Sequence, residues 1–149
     1  MGDCDEGVVL RPAIPQDADR LAVLTAQLGY PATPEQIGRR LEAIRGDENH
    51  VLFVAEGVGG QVTGWAHVFV RQLLQVDRHA ELGGVVVLAE QQSRGLGQLL
   101  MERAEDWARD KGCEAVYVRS NVTREGAHRF YEGIGYEQIK TSRVFLKRI

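Results

Sequence analysis

Gly95 and Gly97 follow an apolar run from Val85 to Leu88 and open an amphipathic segment that continues to Lys111. A strand, a glycine-bearing turn and a helix start, in that order, make a cup of backbone N–H groups. The first turn of a helix has donors without intrahelical partners, and the helix dipole adds partial positive charge there. Both attract a phosphate group. Without a Cβ, the backbone of both glycines can approach a ligand closely. The stretch Gln92-Ser93-Arg94-Gly95-Leu96-Gly97-Gln98 therefore reads as a pyrophosphate-binding turn, with main-chain donors from Gln92 through Gln98. Arg94 either adds a charge-assisted contact to a phosphate or is a solvated loop side chain. The plain alternative is a loop whose two glycines merely cap the next helix.

Two familiar nucleotide motifs are excluded. Leu100 stands where the dinucleotide fingerprint needs its third glycine, and Glu114 sits at the entry of the following strand rather than at its end. The Gly-Lys-Ser/Thr of the nucleotide triphosphatase loop is absent. Composition narrows the class further. A chain of 149 residues, 44% apolar and 26% charged, has the make-up of one ordinary globular domain spanning residues 1–149. A net charge of −3 gives no chain-wide attraction for nucleic acid. The apolar runs are far shorter than a membrane span, and the acidic Met1-Gly2-Asp3-Cys4-Asp5-Glu6 start is unlike a signal peptide. Cys4 and Cys113 have no metal-ligand spacing and suggest no disulfide framework, so a reducing cytoplasm and no metal are expected.

The elements around the turn are legible. Val8 to Arg11 reads as a first strand, ended by Pro12. Leu21, Leu24 and Leu28 form a helical stripe within Gln16–Leu28, with Asp17 and Asp19 in its dipole-favoured first turn. Thr33-Pro34-Glu35-Gln36 is a capping box with proline at N1, opening a second helix that carries Ile37, Leu41 and Ile44. Residues 50–56 and 61–70 read as strands joined by a hairpin turn at Gly57-Val58-Gly59-Gly60. Arg71 to Asp77 carries no clear signal. Arg78 to Leu88 is the strand that enters the turn, and Gly83-Gly84 within it suggests a bulge. Leu96, Leu99, Leu100, Ala104, Trp107 and Ala108 are the inward stripe of the next helix. Cys113 to Arg119 reads as a strand parallel to the one before the turn, since the two are linked by a helix. A short helix from Glu125 to Glu132 and a final hairpin, Tyr136–Lys140 with Arg143–Leu146, complete the chain.

The motif Gln92-x-x-Gly95-x-Gly97 resembles the Gln/Arg-x-x-Gly-x-Gly/Ala signature of the GNAT superfamily of N-acetyltransferases. A second segment, Asn121 followed by Ala127-x-x-Phe130-Tyr131-x-x-x-Gly135-Tyr136, resembles that family's Asn…Ala-x-x-Phe/Leu-Tyr-x-x-x-Gly-Phe stretch. The order of elements matches along essentially the whole chain, and the motifs are specific from about Ala80 to Tyr136. The resemblance implies an α/β (α+β) GNAT fold: a mixed sheet of about seven strands with about four helices, its parallel strands 4 and 5 splayed apart. It implies acetyl-CoA as co-substrate, with the pantetheine arm lying in the splay against main-chain groups of Val85, Val86 and Val87. Asn121 would hydrogen-bond that arm, or serve only as a turn residue.

The implied chemistry is attack by a primary amine on a thioester in a ternary complex. An alkylammonium with pKa about 10.4 is almost wholly protonated at pH 7, a handicap of about 4–5 kcal/mol. A base can offset part of it, directly or through water. By resemblance Glu81, on the strand leading to the turn, holds the base position of histone-acetylating members; otherwise it is an exposed glutamate. Tyr131 matches the family's general acid, a phenol able to protonate the departing thiolate; its alternative is packing beside Phe130. His79 reads as a surface histidine. Nothing in sequence sets a histidine beside Cys113 or Cys4, which disfavours a covalent relay. Tyr30, His67, Gln72, Asp77, Arg78 and Arg143 fall in regions that build the family's acceptor site, and none defines the amine, small molecule or protein. The rival class is a non-catalytic acyl-CoA sensor, which would keep its output when Tyr131 and Glu81 are altered. A homodimer through Val144-Phe145-Leu146 is allowed.

Overall fold

The computed structural model describes residues 7–149, apart from the side chains of Ser93 and Arg94. Cys4 lies outside the described residues. Five strands form one sheet in the order β1-β2-β3-β4-β5: β1 (Val9–Pro12), β2 (His50–Glu56), β3 (Val62–Leu73), β4 (Val76–Val87) and β5 (Val116–Val118). All neighbours are antiparallel except β4 and β5, which run parallel. The helices are α1 (Ala18–Gln27), α2 (Pro34–Arg45), α3 (Leu96–Asp110) and α4 (Glu125–Gly133). Among the described residues no helix is long and apolar enough to cross a membrane.

Two helices build one face of the sheet. The capping box forms as expected: Gln36 N donates to Thr33 Oγ1 at 3.1 Å, and Thr33 N to Gln36 Oε1 at 2.9 Å. Leu21 and Leu24 of α1, with Ile37 and Leu41 of α2, bury against Val54, Trp65 and Val86. The start of α1 departs from the expected helix. Pro15–Asp17 is a 3-10 turn, and Asp17 is buried instead of solvated. Its carboxylate takes Arg11 Nη1 at 2.8 Å, Arg11 Nη2 at 3.0 Å and Ile14 N at 2.9 Å. Burial alone would raise the Asp17 pKa, but the Arg11 contacts and the Ile14 N–H outweigh it and the net shift is downward.

The opposite face is covered by α3, whose Leu96, Leu100, Met101, Ala104 and Ala108 are buried. Gly64 of β3 lets α3 approach, because a Cβ there would stand 3.0 Å from Val86 O and 3.1 Å from Leu100 Cδ1. The Arg103 guanidinium lies 4.4 Å above the Phe53 ring, capping this core with a cation–π contact.

One open stretch is assigned and two expectations are corrected. The unassigned Arg71–Asp77 stretch is a strand hairpin, with β3 running on to Leu73 and β4 starting at Val76. Arg71 pairs across with His79, and its side chain reaches Glu81, so cross-strand contacts settle what composition left open. β5 shrinks from Cys113–Arg119 to three residues. The C-terminal hairpin is absent, and residues 134–149 form no helix or strand. Val144-Phe145-Leu146 is three apolar residues in a row, so no alternation turns one face inward. Thr141-Ser142 also lacks the chemistry of a tight hairpin turn. Among the described residues the sheet therefore has five strands, not about seven.

The chain divides into two compact units, the sheet with its helices up to Val118 and the segment from Arg119 onward. Within the second, α4 is anchored by Arg124 N to Asn121 O at 3.0 Å and followed by Tyr136 N to Tyr131 O at 2.9 Å.

Candidate active site

β4 changes character midway. Ala80, Glu81 and Leu82 pair with β5, while the residues from Gly83 to Val87 pair only with β3. At that point β4 holds one extra residue, because His67 faces Gly84 and Val68 faces Leu82. This is the bulge expected at Gly83-Gly84. Both glycines turn to the α1/α2 face: a Cβ on Gly83 would stand 2.5 Å from His67 Nδ1, and one on Gly84 2.9 Å from the Trp65 ring. A bulge bends the strand and raises its twist, so β4 leaves its neighbour with an open edge.

The peptide groups on that edge follow from pairing. Leu88 N donates to Thr63 O at 2.8 Å, so alternate residues, Val86 among them, direct their backbone to β3. Val85 and Val87 face the other way. The Val87 carbonyl already accepts from Gln27 Nε2 at 2.7 Å and Gln92 Nε2 at 3.1 Å, which fills its two lone pairs. Of the three valines named from the sequence, Val85 keeps both peptide groups toward the open edge, Val87 keeps its N–H, and Val86 is committed elsewhere.

The turn beyond is tightly wound. Ala89–Arg94 is a 3-10 helix, Gly95 sits at φ +77°, and Leu96 begins α3. The positive φ at Gly95 favours glycine on steric grounds, independent of any ligand. Leu99 N is the first donor inside α3, reaching Gly95 O at 3.2 Å. The N–H groups of Leu96, Gly97 and Gln98 precede it in the first turn. Donors from Gln92 to Arg94 lie in the 3-10 helix, whose geometry spends N–H groups on carbonyls three residues back.

On the α1/α2 face, polar side chains gather around the bulge. Glu81 is buried and accepts from Arg71 Nη1 at 2.8 Å. His67 lies two residue pairs along the ladder on the same face, its Nε2 3.0 Å from His50 Nδ1. The His50 ring stacks on Phe69 at 5.0 Å, and the His67 ring lies tilted to it at 5.4 Å. Burial and the neighbouring His50 lower the His67 pKa to about 4. His79 is not at the surface: it is 2% exposed, its Nδ1 meets Asp77 O at 3.0 Å, and its ring lies 4.2 Å from Tyr117. His50 was not singled out from the sequence. The hairpin turn at Gly57–Gly60 alone would set it across from Val68, on the face away from His67; the register shift at Ala55/Glu56 brings the two together, so no local signal marked it.

In the second unit, Asn121 behaves as a turn residue. Its Oδ1 accepts from Thr123 N at 3.0 Å and Thr123 Oγ1 at 2.8 Å, leaving only the amide N–H groups for other partners. Tyr131 is half-buried in α4, edge-on to Phe130 at 5.4 Å. Burial raises its phenol pKa, against a smaller downward pull from Arg124. Cys113 is a buried free thiol.

The sequence profile of the acetyltransferase (GNAT) family matches residues 19–136. The chain belongs to the GNAT acetyltransferase family. N-acetyltransferase is the enzyme class this membership assigns, with acetyl-CoA as acyl donor. An uncharacterised N-acetyltransferase of Bacillus subtilis is 32% identical over 93 residues, covering 62% of this chain and 65% of its own length. The aminoalkylphosphonate N-acetyltransferase of Salmonella typhimurium is 28% identical over 130 residues, covering 87% and 84% of the two chains. The crystal structure of an aminoglycoside 6'-N-acetyltransferase from Acinetobacter baumannii superposes with a TM-score of 0.85 at 18% identity, over 96% of this chain and 99% of the other. That likeness establishes the GNAT fold.

Proposed function

We propose that this GNAT chain moves the acetyl group of acetyl-CoA to a primary amine of a small molecule, by direct attack in a ternary complex. The observation that carries the reading is the edge of β4, unpaired from Gly83 to Val87, which runs straight into the Gly95 turn and the first turn of α3. Such an edge pairs with an extended amide-bearing arm, and such a helix start takes a diphosphate. Val85 and the Val87 N–H would hold the arm, and the N–H groups of Leu96, Gly97 and Gln98 the diphosphate. Gln92, Ser93 and Arg94 would border it. The bound thioester supplies an activated acyl group.

Glu81 draws the ammonium group to the bulge and serves as base, directly or through a water. Tyr131 serves as the acid, by its family motif. A phenol whose pKa is raised stays protonated at rest, as an acid must. The Asn121 amide N–H groups would donate to the cofactor arm. The small-molecule acceptor is supported by two relatives named for an aminoalkylphosphonate and an aminoglycoside. A buried free thiol suits work in the cytoplasm. We extend the proposal to a homodimer. Val144, Phe145 and Leu146 are 94%, 88% and 77% exposed, and a second copy would cover them.

The test has two arms. Coenzyme A at a hundred times its Kd should stabilise the protein by about 2.7 kcal/mol and raise its melting temperature, while ATP and NAD should not. Thiol release from acetyl-CoA, screened over pools of aminoalkylphosphonates, aminoglycosides, polyamines and amino sugars, should then identify the acceptor. Stabilisation by coenzyme A with no thiol release from any pool would favour the acyl-CoA sensor instead.

A further inference from the structure

An alkylammonium sheds two protons on becoming an amide. The thiol product keeps one, and the other must leave the site. We propose that His67, His50 and Asp47 form the exit line for that proton, from the bulge in β4 to the protein surface. The inference rests on the acetyl-transfer reading above.

Within the sheet unit the line has one hydrogen bond, between the two imidazoles, and one longer charge contact, from His50 to Asp47. Asp47 is fixed by its own turn, where Asn49 N donates to Oδ1 at 2.9 Å and His50 N to the Asp47 carbonyl at 3.1 Å. That leaves Oδ2 beside His50 Nε2, at 3.8 Å. A carboxylate favours the tautomer that turns an N–H toward it. His50 then carries its proton on Nε2 and presents a bare Nδ1. The 3.0 Å contact to His67 requires one donor, so His67 carries its proton on Nε2. Its Nδ1 is therefore a lone pair, and that atom is the one lying over Gly83, where a Cβ would come within 2.5 Å. The acceptor nitrogen thus lies over the residue at which β4 leaves β5.

The groups facing these rings are Asp47 on the loop after α2, Arg71 on β3 and Glu81 on β4. Arg71 is paired with Glu81, which leaves Asp47 as the anionic end of the line. The His67 ring, with a pKa near 4, is neutral at pH 7 and passes a proton on instead of storing it. In the step itself, Glu81 takes the proton from the ammonium, directly or through a water, and hands it to His67 Nδ1 as the Nε2 proton moves to His50 Nδ1. The His50 Nε2 proton then passes, by way of a water spanning the 3.8 Å gap, to the half-exposed Asp47 carboxylate and on to solvent. The freed amine lone pair forms the C–N bond, the C–S bond breaks, and the thiolate takes the second nitrogen proton by way of the acid. Exchange with solvent restores both tautomers.

Nitrogen-15 NMR of the imidazoles in the unliganded protein tests the line without turnover. At pH 7 His67 should be neutral with its proton on Nε2; a proton on Nδ1, or a charged ring, overturns the proposal. The His50→Phe variant keeps an aromatic ring against Phe69 and removes the relay. With acetyl-CoA and 2-aminoethylphosphonate, its kcat should fall by about 10²-fold. KM for acetyl-CoA should be unchanged, the solvent deuterium isotope effect altered, and imidazole in the buffer should restore part of the rate. An unchanged kcat overturns the line. Stabilisation by coenzyme A should be the same in both proteins, which separates failure of the relay from failure of the cofactor reading. Without turnover of 2-aminoethylphosphonate by the unaltered protein, the NMR result decides alone.

Discussion

The two faces of the sheet are built on opposite terms. Against α3, Phe53, Val68, Leu100 and Met101 are at most 1% exposed, and the charged group at their edge, Arg103, stacks on a ring. The α1/α2 face begins in the same way, with Leu21, Leu24 and Trp65, but toward the bulge it becomes His50, His67, Arg71, Glu81 and His79. Apolar area removed from water contributes stability at roughly 25 cal/mol per Å², whereas buried polar groups only avoid a penalty when paired. One face is therefore shaped for stability, and the other trades some of it for groups that can bind and move protons.

That contrast can be broken by substitution. Glu81→Gln, on the polar face, should lower thiol release by about 10²–10⁴-fold while leaving the response to coenzyme A intact. A large loss of melting temperature instead would mean that Glu81 belongs to the framework. Leu100→Ala, on the dry face, should cost about 2–5 kcal/mol in denaturant unfolding and leave kcat per folded molecule unchanged. At the turn between the faces, Gly95→Ala forces a side chain to φ +77°, which costs about 1–2 kcal/mol. It should also abolish stabilisation by coenzyme A, measured by thermal shift.

Smaller effects sharpen the picture. Because the Asp17 pKa is lowered by Arg11, its contribution to stability is present above the ordinary carboxylate pKa and lost as pH falls through its folded value. His67 also has a depressed pKa. The unfolded chain binds its proton from about pH 6.5 downward and the folded chain only near 4, so acid lowers stability across that window. Urea unfolding at several pH values should show Asp17→Asn flattening the limb below pH 4, and His67→Gln the limb between 6.5 and 4. Thr33→Ala, far from both, should cost about 1 kcal/mol at every pH.

Local rules carried much of the architecture. Thr33-Pro34-Glu35-Gln36 specifies its own cap, Gly57–Gly60 its own turn, and the alternation through β2 its own faces. The glycine turn was legible because a tight αL position followed by a helix start depends on neighbours in sequence alone. The proton line was not. His50 and His67 share a face only because of a register shift at Ala55/Glu56. The pairing of Glu56 with Val62, continued without that shift, would set His50 across from Val68 and turn the two rings apart. The carbonyl of Val87 was likewise closed by Gln27 of α1, a partner 60 residues away.

What the sequence alone determined, then, is which segments become strand, helix and turn, and that a glycine cup for phosphate follows β4. Those features are set by φ/ψ preference, capping and periodicity, all of which act over a few residues. Tertiary structure decided which peptide groups on β4 stay free, which carboxylate is held by which arginine, and which histidines meet. Each depends on register between distant strands, and a single bulged residue moves every side chain beyond it to the other face.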